Sequence, residues 1–189
     1  KKIQLSVSLF GTTKLEEAQR RTHGLSMFLI DVERAGLTYA PIEKLGTNTL
    51  SSCSVFFDDV QVDGSELVGT LDNGWYELLD VLNTERIVTT AGLVGAGNLA
   101  IRLAVDFAKE RQVFNGKPIA TYQGIQFPLA QHWAEISCAR LMNLKAAALF
   151  DSGQPYGTEA NVAKLLASQA ASAGIERAMQ TMGGMGYAK

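Results

Sequence analysis

Residues 87–108 read IVTTAGLVGAGNLAIRLAVDFA, and this stretch decides the fold class. Its apolar side chains recur every three to four residues, which is the pattern of a helix with one buried face. The positions on that face are Ile87, Ala91, Val94, Ile101, Val105 and Ala108. Because residues 91–97 are mostly alanine and glycine, a second helix can approach the backbone closely there. The stretch therefore predicts a long helix packed against other helices.

Helix formers, above all alanine, dominate the chain from residue 73 onward. They predict three helices, over residues 74–111, over residues 123–152, and from Thr158 to Gly183–Gly184. We expect the first to be interrupted near Asn83 and Thr84. On the second and third helices the predicted buried positions are Ile125, Leu129, Ile136, Ala139, Val162, Leu165, Leu166, Ala173 and Met179. Three antiparallel helices leave one side of a bundle apolar, so a fourth element from this chain or a partner is expected.

Before residue 73 the composition is that of short strands. Alternating or continuously apolar runs predict strands over residues 3–10, 25–32 and 54–62, separated by glycine-containing turns. The charged segment 14–22 predicts an exposed loop or a short helix. The predicted fold class is α+β, with a partial β-barrel or sheet domain (1–72) followed by an up-down helical bundle, an incomplete four-helix bundle (73–189).

Composition excludes several classes of function. The 189 residues include 17 basic and 19 acidic side chains, a net charge of −2, whereas nucleic-acid binding needs a basic excess. We expect no membrane span, and the first residues lack the features of a signal peptide. The two cysteines, Cys53 and Cys138, lie far apart, which favours a reduced, cytoplasmic protein. Neither His23 nor His132 has the spacing of a metal site, so no metal is predicted.

The segment Leu82–Arg86 carries a candidate catalytic carboxylate, Glu85. An alternative interpretation is an ordinary helix start, with Thr84 as the cap and Glu85 beside the positive end of the helix dipole. Physical chemistry alone favours the helix start over a catalytic role.

Two turns at helix ends are candidate binding elements. In the turn after the first helix, the Arg111 guanidinium offers several N–H donors for a phosphate. In the turn after the third helix, the glycines of residues 183–186 let a backbone approach a ligand. Each turn can equally be a C-terminal cap, which physical chemistry alone favours.

Taken in order, these segments resemble the acyl-CoA dehydrogenase family over essentially the whole chain. The segments that carry the resemblance are GLSMFLI (24–30), KLGT (44–47), VFFDDVQV (55–62), NTERI (83–87), AKERQVF (108–114), GKPI (116–119) and GGMGY (183–187). Compared with the family, an N-terminal helical domain, the first part of the β-domain and the last bundle helix are missing. The resemblance thus implies a fragment of a larger subunit, inactive by itself.

The implied activity is FAD-dependent α,β-dehydrogenation of an acyl-CoA thioester, by removal of the α-proton and transfer of a hydride to the flavin N5 atom. Glu85 occupies the position where a minority of members carry the base, although many members place it in a stretch that here would follow Lys189. Asn83 and Arg86 would line the substrate cleft. An acyl-CoA oxidase or flavin monooxygenase on the same fold, or a non-catalytic helical scaffold, are the alternatives.

The resemblance also implies a cofactor site shared between subunits. Its residues would be Arg111, Phe114, Gln123, Gln180, Gly183 and Gly184, contacting the pyrophosphate and adenosine half of FAD. Asn115 departs from the family pattern, in which phenylalanine and glycine are often adjacent. The implied partners are an acyl-CoA substrate, an electron-transfer flavoprotein as electron acceptor, and further copies of the chain in a homodimer or homotetramer.

Overall fold

The computed structural model describes residues 5–11, 22–114 and 116–188. The chain divides into two compact units, Lys1–Asp80 and Val81–Lys189. The boundary placed between residues 72 and 73 stays a prediction, since one long helix begins in the first unit and continues into the second.

The first unit contains short antiparallel strands. Three of them, β1 (Leu5–Gly11), β2 (Leu25–Asp31) and β5 (Leu67–Val68), form a sheet in the order β1-β2-β5. The other two, β3 (Leu37–Pro41) and β4 (Cys53–Phe57), pair with each other. This arrangement confirms a partial sheet domain ahead of the bundle.

The strand predictions differ from the structure in detail. The strand predicted over residues 54–62 ends at Phe57, where the Asp58 N–H donates to the Gly36 carbonyl and Asp59 takes a left-handed backbone (φ 47°). Strands β3 and β5 escaped prediction because five and two residues give too little alternation to recognise. The predicted loop or helix over residues 14–22 lies, except for its last residue, outside the described residues.

Arg34, Asp63 and Glu66 form a hydrogen-bonded cluster next to β5. Arg34 Nη1 donates to Glu66 Oε2 at 2.6 Å, and Arg34 Nη2 contacts the other oxygen of that carboxylate. Glu66 Oε2 also accepts from the Asp63 N–H at 2.7 Å, and Asp63 accepts from the Ser65 N–H at 2.8 Å. The hydrogen bond from Arg34, followed by the one from the Asp63 backbone, lowers the pKa of Glu66. The side-chain and backbone hydrogen bonds from Ser65 lower the pKa of Asp63.

The second unit is a bundle of three helices. They are α1 (Gly74–Glu110), of which residues from Val81 onward belong to this unit, α2 (Gln123–Asp151) and α3 (Gly157–Met182). Gly153 (φ 69°) follows the end of α2, as predicted. The predicted interruption near Asn83 is wrong, because α1 continues through it. Thr84 is therefore not a helix cap, and its hydroxyl instead shares a hydrogen bond with Tyr156.

The core of the bundle combines branched apolar side chains and alanines on α1 and α2 with small residues on α3. On α1 and α2 its members are Val94, Ile101, Ala104, Leu129, Ile136 and Ala139. On α3 the buried residues are Ala160, Ala163, Ala167, Ala170, Ala171, Gly174, Ala178 and Thr181. A Cβ added at Gly97 would lie 2.8 Å from Ile136 Cδ1 and 3.3 Å from the Ala171 Cα. Helix α1 thus packs directly on the backbone of α3.

The predicted buried face is correct for α2 but wrong for α3. Leu129, Ile136 and Ala139 are buried, whereas Val162, Leu165, Leu166 and Met179 are exposed, as is Ala91 on α1. Close packing through alanine leaves no space for larger side chains between the helices, so they point outward. Further exposed apolar residues of the bundle include Trp133, Leu141 and Leu144. The expectation of a fourth element stays a prediction.

Within the described residues, α1 is the one helix long and apolar enough to cross a membrane, with a mean hydropathy of 1.4 in an 18-residue window. Val94, Ile101 and Ala104 lie in the bundle core, and 28% of this window is buried in the structure. The absence of a membrane span and the cytoplasmic location stay predictions.

We predict that acid destabilises the first unit through Glu66 and Asp63. The pKa of each carboxyl is lower in the folded protein than its unfolded value of about 4, so its stabilisation is complete above that value. It is lost as the pH falls through the lower folded pKa. Amide hydrogen exchange measured between pH 6 and pH 3 should show faster opening of residues 34–68 at acid pH. Glu66→Gln should reduce this pH dependence and Glu43→Gln, on an exposed loop, should not; equal protection at both pH values would contradict the prediction.

We also predict that Gly97→Leu destabilises the bundle by about 1–3 kcal/mol, because the added side chain meets Ile136 and the α3 backbone. Gly92→Leu is the matched control on the same helix. A Cβ at Gly92 meets nothing within 4 Å, so this change should be neutral or stabilise the helix by up to about 1 kcal/mol. Urea unfolding followed by circular dichroism measures both. Equal stabilities for the two variants would show that α1 does not pack as described.

Candidate functional site

Arg111 follows the last residue of α1 and is held by its backbone. A short hairpin of β6 (Gln112–Val113) and β7 (Lys117–Pro118) comes next. The Ile119 N–H, just past the hairpin, donates to the Arg111 carbonyl at 2.8 Å. This hydrogen bond joins the end of the hairpin to the backbone of Arg111, whose side chain is exposed.

Arg111 shares a crevice of ≈ 400 Å³ with Gly183 and Gly184, the turn at the end of α3. The remaining lining residues are Phe107, Val113, Ile119, Thr181, Met182 and Met185. Two of the turns singled out in the sequence, although far apart along the chain, are therefore neighbours at one end of the bundle.

The glycine turn leaves its backbone accessible. Gly183 has φ 59° and ψ −133°, a conformation that favours glycine, and its N–H donates to the Gln180 carbonyl as a helix cap. A Cβ added at Gly183 or Gly184 would meet nothing within 4 Å, so this backbone borders open space. Capping and ligand approach are thus compatible in the same turn. An exposed guanidinium beside an open backbone is a chemically suitable environment for a phosphate.

The other three predicted cofactor residues lie near this end but not on the crevice wall. Gln180 is exposed in the last turn of α3, and Gln123 is exposed at the start of α2. Phe114, at the tip of the hairpin, is 80% exposed and has a left-handed backbone with φ 39°. Such a backbone is rare for a bulky residue and costs energy, which is a feature of functional sites. Asn115 lies outside the described residues.

Asn83 and Arg86 form a pair in the N-terminal half of α1. Arg86 Nη1 donates to Asn83 Oδ1 at 3.2 Å, and both side chains are half-buried. The start of α3 lies beside them, because a Cβ added at Gly157 would be 3.2 Å from Asn83 Nδ2. A guanidinium and a carboxamide with remaining donors could bind carbonyl or phosphate oxygens.

Glu85 lies between these two residues in sequence and is exposed. Successive residues of a helix point about 100° apart, so Glu85 emerges on the face next to that of Arg86. Proton abstraction from carbon is favoured where water is excluded. For Glu85 to act as a base, a further surface would have to cover it.

The two groups of candidate residues are far apart. Arg86 and Glu110 belong to one uninterrupted helix, and their sequence separation corresponds to roughly 36 Å along its axis. Asn83, Glu85 and Arg86 therefore occupy a different region of the bundle from Arg111 and the glycine turn.

The histidines and cysteines singled out in the sequence do not group into a site within the described residues. His132 Nδ1 lies 2.9 Å from Glu135 Oε2 on α2, and the pKa of Glu135 is lowered by its hydrogen bonds with Gln131 and then His132. His23 is exposed in a turn, and both cysteine thiols are free.

Known proteins share the sequence pattern and the architecture of this chain. The sequence model of the family described as "Acyl-CoA dehydrogenase, C-terminal domain" matches residues 72–189, more than half of the chain. The chain belongs to the acyl-CoA dehydrogenase family. The match includes both ends of α1, the hairpin and the glycine turn.

The similarity to two relatives extends into the first unit, which contains strands β1 to β5. Acyl-CoA dehydrogenase FadE12 of Mycobacterium tuberculosis is 39% identical over 176 residues, covering 92% of this chain and 45% of that protein. The mitochondrial short-chain specific acyl-CoA dehydrogenase of Bos taurus is 38% identical over 167 residues, covering 88% of this chain and 40% of that protein. The chain thus spans less than half the length of these curated relatives.

Solved acyl-CoA dehydrogenase folds also match. Butyryl-CoA dehydrogenase from Megasphaera elsdenii has a TM-score of 0.88 at 30% identity, over 97% of this chain and 47% of that chain. The FAD complex of PigA has a TM-score of 0.89 at 25% identity, over 97% and 47% of the two chains. These matches support the α+β class, with a partial sheet followed by a helical bundle.

Proposed function

We propose that this chain is part of an FAD-dependent acyl-CoA dehydrogenase that removes the α- and β-hydrogens of an acyl-CoA thioester. The observation that carries the proposal is the crevice shared by Arg111, Gly183 and Gly184. Its exposed guanidinium and open glycine backbone fit a dinucleotide pyrophosphate. The PigA structure, which has the same fold, is an FAD complex and supports the choice of cofactor.

The cofactor residues would act by binding and orientation. Arg111 would bind the pyrophosphate through two parallel N–H donors, and the backbone of Gly183 and Gly184 would lie against it. Phe114 would present its exposed ring to the adenosine half, while Gln123 and Gln180 would supply amide donors and acceptors. When bound, FAD supplies the acceptor for the hydride that leaves the β-carbon.

Glu85 would take the α-proton of the thioester. Asn83 and Arg86 would line the same cleft and orient the substrate, with the pair's free donors directed to its oxygens. Hydrogen-bond donors at the thioester carbonyl are needed to stabilise the enolate that develops as the proton leaves. The relatives named as acyl-CoA dehydrogenases support this substrate class.

The separation of about 36 Å between Arg86 and the C-terminal end of α1 supports a shared site. The flavin ring of an FAD whose pyrophosphate lies in the crevice must come within about 3–3.5 Å of the substrate that meets Glu85. We infer that the crevice and Glu85 of one chain would serve two different active sites. We therefore propose a homodimer or homotetramer. We also propose an electron-transfer flavoprotein as the electron acceptor, as the family resemblance implies. The chain alone would bind FAD poorly and be inactive.

We predict that Glu85→Gln in the full-length enzyme slows α-proton exchange by at least about 100-fold, because a carboxamide cannot accept the proton. The measurement is deuterium incorporation at the α-carbon of butanoyl-CoA in D₂O without an electron acceptor, followed by mass spectrometry. Glu176→Gln, on an exposed position of α3, should exchange at the wild-type rate. Wild-type exchange by Glu85→Gln would place the base elsewhere, including the alternative beyond Lys189. Reduction of oxygen instead of a dye by the wild-type enzyme would favour the oxidase or monooxygenase.

We predict that Arg111→Gln weakens FAD binding by about 10–100-fold, since hydrogen bonds to a charged group contribute about 1.5–3 kcal/mol. The dissociation constant is measured by quenching of flavin fluorescence on titration with the full-length apoenzyme. Arg102→Gln removes an exposed arginine from α1 away from the crevice and should bind FAD as wild type does. Equal affinities for the two variants would exclude the crevice as the pyrophosphate site. A full-length protein that takes up no flavin would favour the alternative of a non-catalytic helical scaffold.

A further inference from the structure

We propose that Tyr156 is a positioning residue that holds the Asn83–Arg86 segment of α1 in the orientation that proton abstraction requires. Gly157 contributes by leaving space for the Asn83 amide. The inference rests on the proposed function, since its rate measurement requires Glu85 to be the base. It adds the connection between α2 and α3 to the residues on which proton abstraction depends.

The contact is a hydrogen bond between elements distant in sequence. The Tyr156 hydroxyl and Thr84 Oγ1 are 2.9 Å apart, and both side chains are half-buried. Thr84 directly precedes Glu85, so any rotation of the helix that moves one displaces the other. The hydroxyl therefore opposes rotation of α1 at the position of the base.

Tyr156 is itself fixed in three ways. Its ring meets Phe150 of α2 edge-on, with centroids 5.2 Å apart and planes at 77°. Its carbonyl accepts from the Ala160 N–H at 2.9 Å, in the first turn of α3. Its hydroxyl reaches α1. One residue thus joins the end of α2, the start of α3 and the site on α1.

Gly157 acts on the neighbouring residue of the site. A Cβ at this position would lie 3.2 Å from Asn83 Nδ2, tighter than ordinary van der Waals contact. Asn83 Oδ1 in turn accepts from Arg86, so a displaced Asn83 would disturb the pair. Glycine at 157 lets the Asn83 amide stay beside the start of α3.

A separate bond holds the next part of the helix. Asn143 Nδ2 donates to the Ile87 carbonyl at 3.2 Å, from α2. Loss of the Tyr156 hydroxyl should therefore loosen residues 83–86 without unfolding α1. This expectation distinguishes a positioning role from a contribution to stability alone.

The test uses the full-length, flavin-loaded enzyme carrying Tyr156→Phe, Thr84→Val or both. Each single change should slow α-proton exchange of butanoyl-CoA by about 5–50-fold, because small displacements of a base can cost up to about 100-fold. The double variant should be slowed by less than the product of the two single effects, since both changes remove the bond between these two hydroxyls. Thr84→Ser keeps the hydroxyl and should retain the wild-type rate. Tyr39→Phe, on an exposed residue of β3, is the control for the tyrosine change.

Gly157→Ala provides a second readout. It should raise the KM for butanoyl-CoA more than it lowers kcat, because it acts on the substrate-lining Asn83 and not on Thr84. Equal changes in both parameters, or none, would contradict that part of the inference.

Several results would overturn the proposal. If Glu85→Gln abolishes exchange while Tyr156→Phe and Thr84→Val exchange at the wild-type rate per bound flavin, Tyr156 has no positioning role. A lower unfolding temperature with unchanged exchange leads to the same conclusion. Should Tyr156→Phe not fold, the comparison of Thr84→Val with Thr84→Ser decides alone. Wild-type exchange by Glu85→Gln is a distinct result, which removes the proposed base.

Discussion

The close packing of α1 against α2 and α3 around Ile136 governs the rest of the bundle. Ile136 is 1% exposed, and its Cδ1 would be 2.8 Å from a Cβ at Gly97 and 3.2 Å from one at Gly174. Two glycines on two helices thus make room for one side chain of the third. Because interiors are packed to the density of organic crystals, this fit leaves little freedom in how the helices slide past each other.

This packing has a consequence for the surface. Alanines fill the interior side of α3, so its leucines and Met179 point away from the three-helix core. Exposed apolar residues taken singly are ordinary on a protein surface.

The length of α1 separates the candidate residues into two regions of the bundle. One contains an exposed arginine beside an open glycine turn, suited to an anionic nucleotide. The other contains an asparagine–arginine pair and an adjacent carboxylate, buttressed by Tyr156 and Gly157. A helix about 36 Å long between these regions cannot bring them together within one chain. The shared-site proposal follows from helix geometry as well as from the resemblance.

Part of the site was visible in the sequence and part was not. Arg111 and the glycines were candidates from their chemistry, although physical chemistry alone favoured helix caps, and the resemblance implied their cofactor role. Tyr156 gave no signal, since an aromatic residue before a helix is ordinary, and its partner Thr84 was misassigned as a helix cap. Thr84 has the chemistry of a cap, and only the distant Tyr156 hydroxyl shows which partner it has.

Periodicity and turn residues act over a few neighbouring positions, so the sequence was enough to predict the class of fold, the three helices and strands β1, β2 and β4. It also determined which side chains could bind phosphate or take a proton. Only the tertiary structure decided which apolar faces are buried, as α3 demonstrates, and which distant turns meet in one crevice. Those outcomes depend on how closely the helices pack, and that distance is set by pairs of residues far apart in the chain.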